Sequence, residues 1–364
     1  MISSQVIKTS ISELNVITKV DLCVMNLSGE VVATTEDSYT LDKVLVTSFA
    51  NSPVDSQVIG DTHLLKILDD GEPLYVLAAR GQGEEAHMIA KICVSQLQNL
   101  IIAYKEKYDR NNFFQNLMLD NMLLIDIYNR AKKLRIEAVV PRVVLLIETN
   151  GDVDNTASEL LAGMYTAQNG DYVTAVDEAS VILIKSLTES DTYEDIEQIA
   201  TTIVDMMNTE AMLNVRVAYG TIVGELKDLS KSYKEAKMAL EVGKIFYAEK
   251  RVTAYNTLGI GRLIYQLPVS LCKMFIEEIF GGKDMLPSDL DEETINTINK
   301  FFENNLNVSE TSRELFVHRN TLVYRIEKLE KSTGLDIRTF DDALTFKIAL
   351  MVESYMNYLD SKEF

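Results

Sequence analysis

Residues 307–334 read NVSETSRELFVHRNTLVYRIEKLEKSTG. Asn307 is a helix-capping residue type with Glu310 three positions on, the arrangement of a capping box, and it predicts a short helix over Val308–Leu315. Phe316, Val317 and His318 then make a three-residue turn into a second helix, Arg319 to Ser332. The apolar positions Val308, Leu315, Val317, Leu322, Ile326 and Leu329 mark the inner face of two helices that cross steeply, and the small Ser312 sits where they approach most closely. That is the pattern of a helix-turn-helix. The second helix turns Arg319, Asn320, Thr321, Tyr324, Arg325 and Lys328 outward. Arginine takes guanine bidentately, asparagine pairs with adenine, and threonine, tyrosine and lysine hold phosphates. With Ser309 and Thr311 on the first helix and His318 in the turn, these are the candidate DNA-binding residues. Glu327 and Glu330 fall late in the second helix, which leaves its N-terminal half positive. The plainer reading is a helical hairpin with solvated basic residues.

The composition around this segment sets bounds. The chain has 364 residues, 47% hydrophobic and 25% charged, the balance of a soluble globular protein of two or three domains. No apolar run reaches 18 residues, so no membrane span is expected. The opening MISSQVIKTSISELNVIT has neither the basic flank nor the cleavage site of a secretory signal. Cys23, Cys93 and Cys272 are sparse and form no CxxC pair, which predicts free thiols and a reducing, cytoplasmic compartment. His63, His87 and His318 have no metal-ligand spacing, so neither metal nor cofactor is expected. The formal charge of −20 argues against nucleic acid when taken over the whole chain, although a binding module can be locally basic.

Upstream of the helical hairpin the period of the pattern changes three times. Residues 1–18 carry apolar positions at helical spacing. Two hairpins follow, one turning at Leu27–Glu30 and one at Asp69-Asp70-Gly71, so the N-terminus reads as a small α+β domain with one sheet face covered by helices. Gly81-Gln82-Gly83 reads as a helix entry loop rather than a phosphate loop. Ala90, Val94, Leu97, Ile101, Tyr104, Tyr108 and Asn111 then alternate spacings of four and three. This is a heptad seam, read either as a coiled coil joining two subunits or as a long helix packed on its own domain. A second helical stretch, with Phe113, Phe114, Leu117, Leu124 and Ile127, ends near Leu134. VVPRVVLLIE is a buried central strand, and the order β-α-β-β-α-β-α after it is that of a ferredoxin-like split βαβ sheet. Gly281-Gly282 and Pro287-Ser288-Asp289 mark a loop in an otherwise helical C-terminal part.

The segment from Asn307 to Val352, and above all VHRNTLVYRIEKLEKSTG with the trailing DDALTFKIAL, resembles the C-terminal helix-turn-helix of the purine-catabolism-regulator and carbohydrate-diacid-regulator family. The resemblance implies a bacterial transcription regulator. It also gives Arg319, Asn320, Thr321, Tyr324 and Arg325 the roles the residue chemistry suggests. Family members carry a degenerate relative of the diguanylate-cyclase (GGDEF) domain that ends in a Ser-Tyr-x-x-Ala-x-x-Ala-Leu helix. Here Ser232, Tyr233, Ala236, Ala239 and Leu240 stand in that pattern. The hairpin that carries Gly-Gly-Asp/Glu-Glu-Phe in active cyclases reads AVDEAS, and Glu148-Thr149-Asn150 offers no pair of aspartates for magnesium, so no cyclase activity is expected. NLSGEVVAT matches the opening hairpin of diacid regulators, but the Ile-Gly and His-Glu-Gly-Ala pattern of diacid sensors is absent. The expectation is a PAS- or GAF-like sensor for another small molecule.

The organisation expected is therefore α+β and multidomain: a PAS/GAF-like sensor at 1–84, a connecting helix and dimerising coiled coil at 85–135, a GGDEF-like domain at 136–258 and a helical DNA-binding domain at 259–364. The function expected is an effector-responsive regulator that binds double-stranded DNA as a homodimer and is neither an enzyme nor a membrane protein. A catalytically inactive scaffold, its helix-turn-helix turned to protein contacts, is the alternative.

Overall fold

The computed structural model describes residues 2–36, 41–81, 83–149, 156–165, 169–280 and 290–362. Gln82, Asn150 and the loop of Gly281, Gly282 and Pro287–Asp289 lie outside the described residues. The chain forms two compact units, Met1–Phe114 and Gln115–Phe364.

In the first unit the order is α1 (Ser4–Thr18), β1 (Asp21–Met25), β2 (Val31–Thr34), α2 (Lys43–Ala50), β3 (Ser56–Ile59), β4 (Thr62–Asp69), β5 (Glu72–Arg80) and α3 (Gly83–Met118). The strands make one antiparallel sheet in the order β2-β1-β5-β4-β3. Both hairpins stand where the turn residues predict. Asn26 Oδ1 accepts the amides of Ser28 and Glu30 to close the first. Asp70 and Gly71 both take positive φ, 52° and 87°, in the second, as a two-residue type I′ turn requires.

The expectation of a single helix-covered face is corrected. Leu22, Val24, Leu65, Ile67, Leu77 and Ala79 pack under α1 and α3, while Cys23, Met25, Leu64, Val76 and Ala78 pack under Val46, Phe49 and Ala50 of α2. The alternating side chains of β1, β4 and β5 are apolar on both faces, so each face needs a cover. The seam on α3 is corrected too. Ala90, Leu97 and Ile101 are buried with Cys93 against the unit's own sheet, and Val94 is packed beside them. Over residues 90–101 that face is already occupied, and only Tyr104 and Tyr108 stand exposed. The helix also runs on through Phe113 and Leu117 to Met118, and the left-handed Asp120 (φ 56°) follows its end.

The second unit takes in the last residues of α3 from Gln115, then α4 (Leu124–Lys133), β6 (Arg142–Thr149), α5 (Thr156–Met164), β7 (Tyr172–Thr174), β8 (Ser180–Ser186), α6 (Tyr193–Glu210), β9 (Val215–Tyr219), α7 (Leu229–Phe246) and β10 (Val252–Ala254). The sheet order is β10-β9-β6-β8-β7, with β6 antiparallel to both β8 and β9 and β10 parallel to β9. This is the expected split βαβ arrangement with one added edge strand. All eight residues of β6 are buried, which is why the middle of the strand, Val143 to Ile147, is a continuous apolar run. Helices α5 and α6 cover one face, and α7 packs on β6 and β9.

Among the described residues six helices follow: α8 (Gly261–Tyr265), α9 (Val269–Phe280), α10 (Glu292–Glu303), α11 (Val308–Glu314), α12 (Arg319–Thr333) and α13 (Phe340–Lys362). Phe280, Ile298, Phe301, Leu322, Ile326, Leu329 and Phe346 form their core. Helix α13 packs on α7, α8 and α9, and the Tyr358 hydroxyl donates to Glu241 of α7 at 2.6 Å.

Candidate nucleic-acid interface

Local chemistry fixes the two helices at the centre of the C-terminal domain. The Asn307 side chain accepts from the amides of Ser309 (3.0 Å) and Glu310 (3.2 Å), capping α11 as expected. The second half of a capping box is not formed. The Asn307 amide already donates to the Asn304 carbonyl, and Glu310 pairs with Arg313 at 2.8 Å. Phe316 takes a left-handed φ of 54° and turns the chain, and the Val317 amide closes the turn on the Ser312 carbonyl at 3.0 Å. His318 caps α12: its Nδ1 accepts the Asn320 amide at 3.2 Å, so the ring proton sits on Nε2. Gly334, at φ 77°, ends the helix and donates to the Glu330 carbonyl. Leu322, Ile326 and Leu329 face the core, and buried Ser312 allows the close approach of α11.

Helix α12 therefore shows one face to solvent. Arg319, Asn320, Thr321, Tyr324 and Lys328 are exposed there, beside exposed Ser309 and His318. Thr311 is corrected: it is fully buried, and its hydroxyl donates to the Asn307 carbonyl at 2.9 Å, so it belongs to the packing of α11 rather than to the DNA-facing set. Arg325 is half-buried. Its guanidinium is held by the Thr297 hydroxyl at 3.2 Å and by the Glu293 carboxylate, both on α10. The late acidic residues of α12 are compensated. Arg338 pairs with Glu330 at 2.6 Å, lies 3.9 Å from Glu327 and is itself held by Asp336 at 2.6 Å. The Arg338 hydrogen bond keeps the Asp336 carboxyl below its ordinary range. Asp291, capping α10, is also held down, chiefly by the Thr294 hydrogen bonds and also by nearby Lys328 and Arg325.

The middle sheet shows what its sequence pattern serves. Ser232 is fully buried, accepts the Val144 amide at 3.1 Å and donates to the Thr221 carbonyl at 2.8 Å. A Cβ on Gly220 would lie 2.1 Å from the Ser232 carbonyl oxygen, so strand and helix meet there without room for a side chain. Ala236 and Ala239, fully buried, keep α7 close to the sheet. The carboxylate at the end of β6, Glu148, is in an ion pair with Lys244, and Asp177 in the AVDEAS hairpin accepts from the Ala179 amide and the Ser180 hydroxyl. Among the described residues no three His, Cys, Asp or Glu side chains are placed to hold a metal ion, and no helix is long and apolar enough to cross a membrane.

Residues 294–352 match the family model of the PucR C-terminal helix-turn-helix domain, and residues 121–242 match that of the GGDEF-like domain. The chain is 26% identical over 305 residues to the carbohydrate diacid regulator of Escherichia coli (strain K12), covering 78% of this chain and 77% of that one. It is 24% identical over 177 residues to the purine catabolism regulatory protein of Bacillus subtilis (strain 168), covering 48% of this chain and 33% of that one. It is 24% identical over 266 residues to the DNA-binding transcriptional activator AdeR of the same organism, covering 71% and 63%. With both models matched, the chain carries a PucR-type C-terminal helix-turn-helix behind a GGDEF-like domain, and it is similar to the carbohydrate diacid and purine catabolism regulators.

Proposed function

We propose that this transcription regulator binds operator DNA as a homodimer through α12, under the control of a small molecule sensed by the first unit. One observation carries the DNA reading. The N-terminal half of α12 exposes Arg319, Asn320, Thr321 and Tyr324 with no acidic residue among them, while the acids behind are drawn off by Arg338. Positive charge at the start of a recognition helix is what groove entry needs. In this reading Ser309, His318 and Lys328 hold phosphates at the rim. Arg325 positions α12 on α10 until DNA competes for it. A symmetric dimer would read half-sites about 34 Å apart, or a multiple of that.

The sensor reading is supported by a sheet covered on both faces and by Lys66. This lysine is 7% exposed, with its ammonium on the Ser52 carbonyl and 5.5 Å from the Phe49 ring centroid, and it has no ion-pair partner among the described residues. A ligand that binds one state of this unit better would shift its population, and α3 is the segment that leads on from it. The compartment is the cytoplasm, in keeping with three buried free cysteines. Catalysis by the GGDEF-like domain is not part of the proposal: Glu148 is neutralised by Lys244, and the hairpin has no glycine to approach a triphosphate. The net charge of −20 favours the second reading, a signalling scaffold.

Mobility shift of the chain's own promoter fragment separates the two. Arg319→Ala is expected to lose roughly ten-fold or more in affinity, as loss of a bidentate base contact does, with an unchanged melting temperature. An Arg319→Ala protein that binds as tightly as the wild type would leave the scaffold as the better account.

A further inference from the structure

Helix α3 has a second apolar face, and the sheet does not use it. Met88, Ile92 and Ile102 are 62%, 52% and 52% exposed, and Ser95 and Asn99 between them are exposed as well. Their spacing is 4-3-4-3, so they fall at heptad positions d, a, d, a, d. The residues that α3 buries in its own unit, Ala86, Ala90, Cys93, Leu97 and Ile101, fall at b, f, b, f and c, on the opposite side. The outer stripe also has relief: Ile92, Ser95, Gln96, Asn99 and Leu100 line an open groove of about 480 Å³.

We propose that a second copy of this chain covers this stripe, with the two α3 helices parallel, in register and related by a two-fold axis. The inference rests on the homodimer reading above and names its surface. Two features select a second copy over another occupant. An a/d repeat is the pattern by which a helix pairs with a helix, with Ile92 at an a position as parallel dimers prefer. Asn99, also at an a position, costs stability against any apolar partner. It is satisfied when its amide meets the same amide across the axis, which only parallel, in-register pairing provides. The small Ser95 leaves the hole that a partner side chain fills. The stripe extends over about 21 Å of helix, so the contact is at the modest end for a dimer and should dissociate on dilution.

Three full-length variants test this, with sedimentation of the wild type beside them. Ser95→Cys, at a d position, should be cross-linked to a disulfide dimer by mild oxidation. Tyr104→Cys, at an f position on the far side, should not, and the three native cysteines are buried and give little background. Ile92→Glu should be monomeric at concentrations where the wild type is dimeric, with the same melting temperature, since that side chain is exposed. A wild-type dimer in which Ser95→Cys fails to cross-link, or which survives Ile92→Glu, overturns this surface and leaves the homodimer standing on another. A wild type that is monomeric at every concentration overturns both.

Discussion

Phe316 is the most exposed large hydrophobic side chain among the described residues, at 96%, and it is held at φ 54°. A non-glycine residue pays roughly 1 kcal/mol for a left-handed backbone. An exposed ring returns nothing to the core. Phe316→Gly is therefore expected to be at least as stable as the wild type in thermal unfolding, and Phe316→Val, with a β-branched carbon, less stable. A loss of more than about 1 kcal/mol in the glycine variant would show that the ring packs on something in solution. Residue chemistry made most of this site legible in the sequence. Asn307, Gly334 and the outward set on α12 are recognisable because capping and helical spacing are local. Thr311 and Glu310 were misread for the same reason. A threonine four residues after Asn307 returns its hydroxyl to that carbonyl, and a glutamate beside an arginine pairs with it, and neither outcome is visible until the neighbouring backbone groups are assigned.

At the scale of elements, the contact between α10 and α12 sets how free the recognition helix is. Glu293 engages Arg325, and Asp291 stands near Lys328, so two carboxylates border the face proposed to meet phosphates. Glu293→Gln should free Arg325 and remove a repelling charge. DNA affinity is then expected to rise several-fold at low salt, read by fluorescence anisotropy, with the gain shrinking as salt screens it. Weaker binding at an unchanged melting temperature would make the pair a positioning contact that α12 needs. The elements the sequence did not reveal, α2 and β3, are short, and β3 is an edge strand exposed along its whole length, so neither leaves a clear hydrophobic period. Helix α3 was recognised as an element and misassigned by face. Both sides carry apolar residues three and four apart, and only the packed sheet tells the inner set from the outer one.

For the whole molecule, a net charge of −20 and a DNA-facing helix are compatible because charge acts locally at an interface. The late acidic residues on α12 itself are compensated within the domain by Arg338, and charges farther away than about 8 Å are largely screened at physiological salt. The order of the middle sheet was readable because its strands and helices alternate with short connections and a continuous central strand. The measurement that bears most directly on the account is an anisotropy titration of the full-length chain against its own promoter fragment at two salt concentrations. Binding that weakens at the higher salt and is poorly displaced by random DNA is the predicted result. Absence of binding at both salt concentrations would contradict it.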